Sequence, residues 1–427
     1  MGRTARDQND RYRVKPVTKI ELSEKHKKLR AILAIAFLGL ALGTFAVILF
    51  RLLSEDPGWK TVEYKGSENP TCAEEFVFLY RLGMSEESPT AEYKRVQQIF
   101  SDAAEDAYRM FDASPEGKDD RNVRALNAHV NEVCEISPYL YRSLEKLEKA
   151  GDRSAFCAPI AANQYNLAVS NTDEEAAAFD PRKNEESAAY VRALAAFAAD
   201  PDAVSIRLVG ENRAVLAVSD AYLAYAEEDV IDTYFDFGWM KNAFIVDYLA
   251  EALQSEGYTH GTLTSYDGFS RNLDESGEEY SFNLFDRPGT TAMQIGSVRY
   301  TGARSIVFLR AYPLNDSFDF YHYYTYRDGT VRTPYLDPTD GLDRCSVPQI
   351  AAASEERGCA DVLLAVRPFF VAPAAEEAFF DKLPAEGIDC ILIRNGVIRY
   401  SEEDLTFGEI AQNDTVSYKT EKQTPAR

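Results

Sequence analysis

The sequence predicts an α+β domain held outside a membrane by one N-terminal helix. Three observations predict this. Residues 31–50, AILAIAFLGLALGTFAVILF, run for twenty positions without a charge and follow ten Lys and Arg within the first thirty residues. In the remaining chain, apolar residues at three- and four-residue spacing dominate the first half, and aromatic or β-branched runs broken by turn pairs dominate the second. No regular strand–helix–strand alternation joins the two, which separates α+β from a doubly wound sheet.

The apolar run is a membrane anchor by length. At 1.5 Å per residue it covers about 30 Å, the hydrocarbon thickness of a bilayer. Basic residues before it keep residues 1–30 cytoplasmic, so residues 31–53 are the signal anchor, 54–74 a juxtamembrane linker and 75–411 an extracytoplasmic domain. A cleaved signal peptide would have a shorter apolar core followed by small residues, whereas Arg51-Leu-Leu-Ser-Glu-Asp-Pro has no such site. Residues 1–53 carry eleven Lys and Arg against four Asp and Glu, so of the net charge of −23 the exported part holds −30. That acidity argues against nucleic acid and anionic lipid as partners of the exported domain.

Six cysteines, Cys72, Cys134, Cys157, Cys345, Cys359 and Cys390, all follow the anchor, where disulfides persist. Fifteen pairings are open, and Cys345 with Cys359 is the first expected because fourteen residues make an easily closed loop. No Cys-x-x-Cys, His-Glu-x-x-His, Gly-x-Ser-x-Gly or Gly-x-x-x-x-Gly-Lys pattern occurs. Of four histidines, His26 is cytoplasmic and His129, His260 and His322 are exported.

Taken in order, Glu75 to Arg81 reads as a strand. Ser88-Pro89 opens a helix whose buried stripe is Val96, Ile99, Phe100, Ala103, Ala107 and Met110, and ASPEGKDDRN follows as a link. Ser137-Pro138 starts a second helix, with Leu140, Leu144 and Leu147 inward and Gly151 at its end. Asn171 to Glu186 is polar and reads as irregular, and Glu186 to Ala199 as an Ala-rich helix. Val204 to Leu208 and Ala214 to Val218 form a hairpin across Gly210-Glu-Asn, and Met240 to Leu253 a helix. Phe318 to Tyr326 pairs with Thr330 to Tyr335 across Asp328-Gly329, and Cys390 to Ile393 with Val397 to Tyr400 across Asn395-Gly396, both read as type I′ turns. Residues 412–427 are polar and read as a disordered tail.

Four short segments could carry chemistry, and each has an ordinary reading. Asp236-Phe-Gly-Trp-Met-Lys-Asn-Ala-Phe-Ile-Val-Asp247 puts a carboxylate and a glycine at the mouth of a helix, which is either a cap or a cradle of free N–H groups for an anion. Asp337-Pro-Thr-Asp-Gly341 is a turn pattern. Asp361, in Gly358-Cys-Ala-Asp, either caps a helix or offers oxygen to a hard cation. Asn127, in NVRALN, is unremarkable alone.

In their order and spacing, these segments resemble the FAD:protein FMN transferase family, the ApbE family, from about Glu75 to about Ile410. Arg124-Ala-Leu-Asn127 is similar to the family's Ser-Arg-Leu-Asn, and Ser154-Ala-Phe-Cys157 to Gly-Ala-Phe-Asp. DFGWMKNAFIVD resembles Asp-Leu-Gly-Gly-Ile-Ala-Lys-Gly-Tyr-Ala-Val-Asp, Pro334-Tyr-Leu-Asp-Pro-Thr-Asp-Gly341 resembles His-Ile-Ile-Asp-Pro-Lys-Thr-Gly, and Ala360-Asp-Val-Leu-Leu-Ala365 resembles Ala-Asp-Ala-Leu-Ala-Thr. The resemblance implies an ApbE-like α+β fold that binds FAD and Mg2+ and moves FMN onto a Ser or Thr hydroxyl of an envelope flavoprotein, releasing AMP. It implies that Ala155, Phe156, Asp236 and Asn242 line the flavin nucleotide, and that the Asp361 carboxylate and the Trp239 main-chain carbonyl hold the metal.

The departures fall on the reacting groups. Pro334 stands for the histidine, Ala365 for the metal-binding threonine, Asn242 for the lysine, with Lys241 beside it, and Cys157 for an aspartate. Proline neither shuttles a proton nor donates a hydrogen bond. The catalytic residues are therefore unassigned, and two functions stay open: a divergent FMN transferase, or a pseudoenzyme that keeps the cleft as a flavin-binding or assembly module. The topology has a direct test. Protease added outside intact cells is expected to digest the domain carrying Asp361 and to spare residues 1–30, and protection of that domain in unbroken cells would overturn the orientation.

Overall fold

Ser88 and Ser137 start their helices with the same device: each hydroxyl accepts the N–H three residues on, from Ala91 and Leu140, and a proline occupies the first turn. The computed structural model describes residues 37, 44, 55–66, 75–114, 121–314, 319, 322–401, 405–412 and 416–423. The chain divides into two units, residues 1–55 and 56–427. The expected anchor, residues 31–53, lies outside the described residues except for Phe37 and Thr44, both helical and exposed. Among the described residues no helix is long and apolar enough to cross a membrane.

The second unit is built on a nine-stranded sheet. Its order is Gly58–Val62, Phe76–Leu82, Gly261–Ser265, Phe269–Asn272, Arg304–Arg310, Gln349–Ser354, Asp389–Arg394, Val397–Tyr400 and Lys419–Lys422. All neighbours are antiparallel except the last two strands, which run parallel. Alternation along the central strands divides their side chains between two cores. Ile350, Ala352, Cys390 and Leu392 join the large core, while Ala351, Ile391 and Ile393 pack with Leu284, Ile295 and Val298 of a three-stranded sheet on the other face. The Gln349–Ser354 strand is accordingly buried at every position.

On the large-core side lie the helices Pro89–Phe111, Lys241–Ser255 and Cys359–Phe370. Asp247, on the middle helix, joins two of them to the sheet. Its carboxylate accepts the N–H groups of Cys359 (2.8 Å) and Ala360 (3.0 Å) and a guanidinium N–H of Arg271 (2.9 Å). It thus satisfies the free donors at the start of the Cys359–Phe370 helix. Only glycine fits at position 358, because a Cβ there would lie 2.3 Å from the Asp247 carboxylate.

Several expectations are corrected. Cys345 and Cys359 are not bonded to each other, and no disulfide joins any two of the five described cysteines. Ser346 N donates to Phe370 O (2.8 Å), which places Cys345 at the C-terminal end of the helix that Cys359 begins. At 1.5 Å per residue the helix holds them roughly 15 Å apart, beyond the reach of a bridge. Asn171 to Glu186 is not wholly irregular: Thr172 and Glu175 form a capping box that starts the helix Asp173–Phe179. Of the aromatic run Phe318 to Tyr326, residues 318, 320 and 321 lie outside the described residues, and among the described ones Tyr324–Thr325 pairs with Val331–Arg332. In that hairpin only Gly329 is left-handed, so the turn is not type I′, whereas Asn395 (φ 52°) and Gly396 (φ 75°) both are, as type I′ requires. In the tail, Lys419–Lys422 is the ninth strand rather than disordered chain, and Gln423 N donates to Tyr400 O (2.7 Å).

Asp247→Ala would leave Arg271 and two helix N–H groups buried without a partner. It is expected to destabilise the fold by about 3–5 kcal/mol, read as a lower denaturant midpoint at unchanged slope.

Candidate functional site

One amide sets the backbone at the site. Asn127, buried in the helix Val123–Ala128, donates from Nδ2 to Val123 O (3.1 Å) and Phe235 O (2.8 Å) and accepts at Oδ1 from Tyr234 N (2.8 Å) and Phe235 N (3.1 Å). Every bond the side chain can make is filled. The next residue, Asp236, donates its N–H to Ala155 O (2.9 Å), and the Phe156 ring packs on Phe235 at 5.4 Å. Two segments distant in sequence therefore fix Asp236. Gly238, at φ 55°, then turns the chain through Gly238–Met240 into the helix Lys241–Ser255.

Asp236, Gly238, Trp239, Lys241 and Asn242 form one wall of a cleft of about 240 Å3. The opposite wall brings Gln164 and Leu167 from the helix Ala158–Ala168, with His322, Arg332, Thr333 and Pro334 from the segment around the small hairpin. A second hollow of about 560 Å3 adjoins it and shares Ala161, Asp236 and Lys241. Trp239 packs edge-on against Tyr335 at 4.8 Å. The buried Asp180 holds Arg332 by its Nε at 2.9 Å and also accepts the Tyr326 hydroxyl at 2.8 Å.

Within the cleft, Asn242 lies between two carboxylates. Its Nδ2 donates to Glu75 Oε2 (2.7 Å) and to Asp267 Oδ2 (2.9 Å). Two acceptors on one side fix the amide's orientation and leave its oxygen without a partner. Asp236 Oδ1, Asp267 Oδ1 and both polar atoms of the Gln164 amide are also buried and unpartnered. These five atoms belong to residues that line one cavity, where a polar ligand would supply the partners they lack. Burial pushes the Asp267 carboxyl up to about 6, with Glu75 adding to the rise and the bonds from Ser265 and Asn242 and the charge of His322 opposing it.

No protein-family model matches the sequence, and no curated protein matches it. Solved structures do match. The ApbE protein of Thermotoga maritima superposes with a TM-score of 0.54 at 12% identity, over 84% of this chain and 97% of that one. The flavin transferase ApbE from Vibrio cholerae gives 0.51 at 15% identity, over 82% and 96%. The chain has the ApbE fold.

Against the ApbE fold, the residues expected at the site fall into three groups. Asp236, Trp239 and Asn242 line the cleft. Ala155 and Phe156 are buried beneath it and hold Asp236 and Phe235 from below. Asp361 is not among the lining residues; its carboxylate is paired with Lys146 Nζ at 2.7 Å, on the first turn of the Cys359–Phe370 helix. Ala365 brings no side-chain oxygen, and among the described residues no group of three or more His, Cys, Asp or Glu is arranged to hold a metal ion. These residues do not fit the magnesium ion that the resemblance implies. They do fit a flavin. The Gln164 amide offers one donor and one acceptor to a ring edge that alternates carbonyls and N–H, and Lys241 and the Asp180-bound Arg332 are the cations that line the cleft. The Asp337-Pro-Thr-Asp-Gly341 segment is a self-bonded turn: Asp337 Oδ1 accepts from Thr339 N (2.9 Å) and Oγ1 (2.6 Å), and Gly341 N donates to Asp337 O (2.7 Å).

Sequence reasoning did not assign Glu75, Gln164 or Asp267 to the site, and it read His322 as a residue of the aromatic strand rather than as a stand-in for the histidine that Pro334 replaces. None stands in a segment with a recognisable motif, and only the fold brings them together. The raised carboxyl gives a prediction. Because Asp267 titrates near 6 in the fold and near 4 when unfolded, the fold binds the extra proton between those values, and stability falls as pH rises across that window. Asp267→Asn removes that charge and is expected to raise the thermal midpoint at pH 7.5 more than at pH 4. An equal shift at both pH values would overturn the assignment.

Proposed function

We propose that the cleft binds FAD and that the chain is a membrane-anchored, extracytoplasmic flavin transferase, which moves the FMN half of FAD onto a Ser or Thr hydroxyl of an envelope flavoprotein and releases AMP. The observation that carries the binding part is the set of five unpartnered buried atoms, from Gln164, Asp236, Asn242 and Asp267, in one cleft. The shared fold with a flavin transferase supports the reaction class, and the apolar run 31–50 with its basic flank supports the compartment. The adjoining hollow gives a dinucleotide more length than the smaller cleft alone provides.

The chemistry asked of the protein is positional: hold the pyrophosphate against cations, exclude water, and orient the acceptor hydroxyl in line. Lys241 and Arg332 are the cations on the cleft wall. Asp361 is paired with Lys146 and does not line the cleft. That pairing favours one alternative, a module that binds flavin without transferring it, and a single experiment separates the two.

Purified chain in detergent is expected to retain FAD, with equal affinity in magnesium and in EDTA, and Gln164→Leu is expected to weaken retention at least tenfold. AMP release on adding an acceptor protein would identify a transferase, and retained FAD without AMP a binding module. Failure to retain FAD in either buffer would overturn the proposal.

A further inference from the structure

We propose that His322 is the catalytic base of this cleft, the group that takes the proton from the acceptor hydroxyl. This rests on the flavin-transfer reading and assigns the proton-handling group which that reading lacks, since Pro334 has no group to do it.

The geometry comes from the backbone on both sides of His322. Asp319 O accepts the N–H groups of His322 (3.1 Å) and Tyr323 (2.9 Å), and the Asp319 carboxylate is in turn paired with the buried Arg310. Tyr323 takes the inward direction. It is buried, and its hydroxyl bonds to Arg310 O (3.1 Å) and the Tyr335 hydroxyl (3.0 Å). His322, half-buried, is left on the cleft wall with Trp239, Asp267 and Pro334, and these same four residues also line the narrow recess of about 20 Å3 beside it. A residue of a paired strand would have less freedom to do this, but the strand begins only at Tyr324.

Electrostatics support the role. Asp267 lines the same cleft and the same recess as His322, which places a carboxylate beside the imidazolium formed when His322 accepts a proton. Asn242, bonded to both Asp267 and Glu75, fixes that carboxylate in position. The other described histidines are engaged elsewhere: His129 lies 3.6 Å from Glu132, and His260 lies 3.2 Å from the buried Asp274.

The step balances without an oxidant or a reductant. The acceptor hydroxyl oxygen forms a bond to the phosphorus of the FMN half. The bond from that phosphorus to the AMP oxygen breaks, and its electron pair leaves with AMP. The hydroxyl proton passes to an imidazole nitrogen of His322. FAD and the hydroxyl thus give the FMN ester, AMP and one proton.

The test uses the full chain in detergent, FAD, and an acceptor protein with a threonine that other flavin transferases modify, and it follows covalent flavin fluorescence on the acceptor. His322→Ala is expected to lower transfer 10²- to 10⁴-fold, the usual loss of a general base, with FAD affinity within threefold of the unmodified chain. Added imidazole is expected to restore part of the rate, which a purely structural role would not allow. His322→Gln, close in size and polar, is expected to retain FAD and to lose transfer equally. Transfer by either variant at the unmodified rate would overturn the assignment. FAD retained without transfer by the unmodified chain would overturn His322 as base while leaving flavin binding intact, and FAD not retained at all would overturn the flavin reading itself.

Discussion

The arrangement depends on Asp247, a carboxylate kept from water. It closes the start of one helix, stands on a second and grips Arg271 on the sheet, so three elements of the large core meet at one charge. An ion in such a place contributes little net stability, because its desolvation offsets much of its attraction. Its value is geometric. The helix that carries Asp247 begins at Lys241, and the residues around that start, from Asp236 to Asn242, form the cleft wall. Fixing the helix in its middle therefore fixes the wall at its mouth.

The cleft itself is held by a second, independent network. Asn127 and Ala155 fix residues 234–236 through main-chain bonds, so Asp236 is set without using its own side chain. Asn242 does the reverse: its amide N–H groups are spent on two carboxylates, and its oxygen is left without a partner. Unspent acceptors and donors at a site whose backbone is fully bonded are characteristic of preorganisation, in which the scaffold is complete before a ligand arrives. The Lys146–Asp361 pair has the opposite meaning, since it is complete already and asks for nothing.

Much of the scaffold was legible in the sequence because its signals are local. Ser88-Pro89, Ser137-Pro138 and Gly151 bound their helices as read, and Asn395-Gly396 makes its turn. Thr172 to Glu175 was also a local signal, hidden by the polar composition around it. What could not be read depends on distant partners. Lys-Thr-Glu-Lys at 419–422 has no strand pattern of its own and is a strand only because Val397–Tyr400 offers an edge. Cys345 and Cys359 are close in sequence and apart in space because a helix stands between them. The site divides along the same line. Asp236, Trp239 and Asn242 came from a contiguous motif, whereas Glu75, Gln164, Asp267 and His322 come from four separate stretches.

The ninth strand has a consequence for how the molecule meets its neighbours. Val397–Tyr400 would otherwise present a row of open backbone groups beside the apolar side chains Val397, Ile398 and Tyr400, the kind of rim on which another chain can add itself. Lys419–Lys422 covers that rim and replaces it with one whose four side chains, Lys, Thr, Glu and Lys, are all exposed. An incoming strand would have to bury two ammonium groups and a carboxylate to pair there. A charged selvage of this kind keeps neighbouring copies of the domain apart.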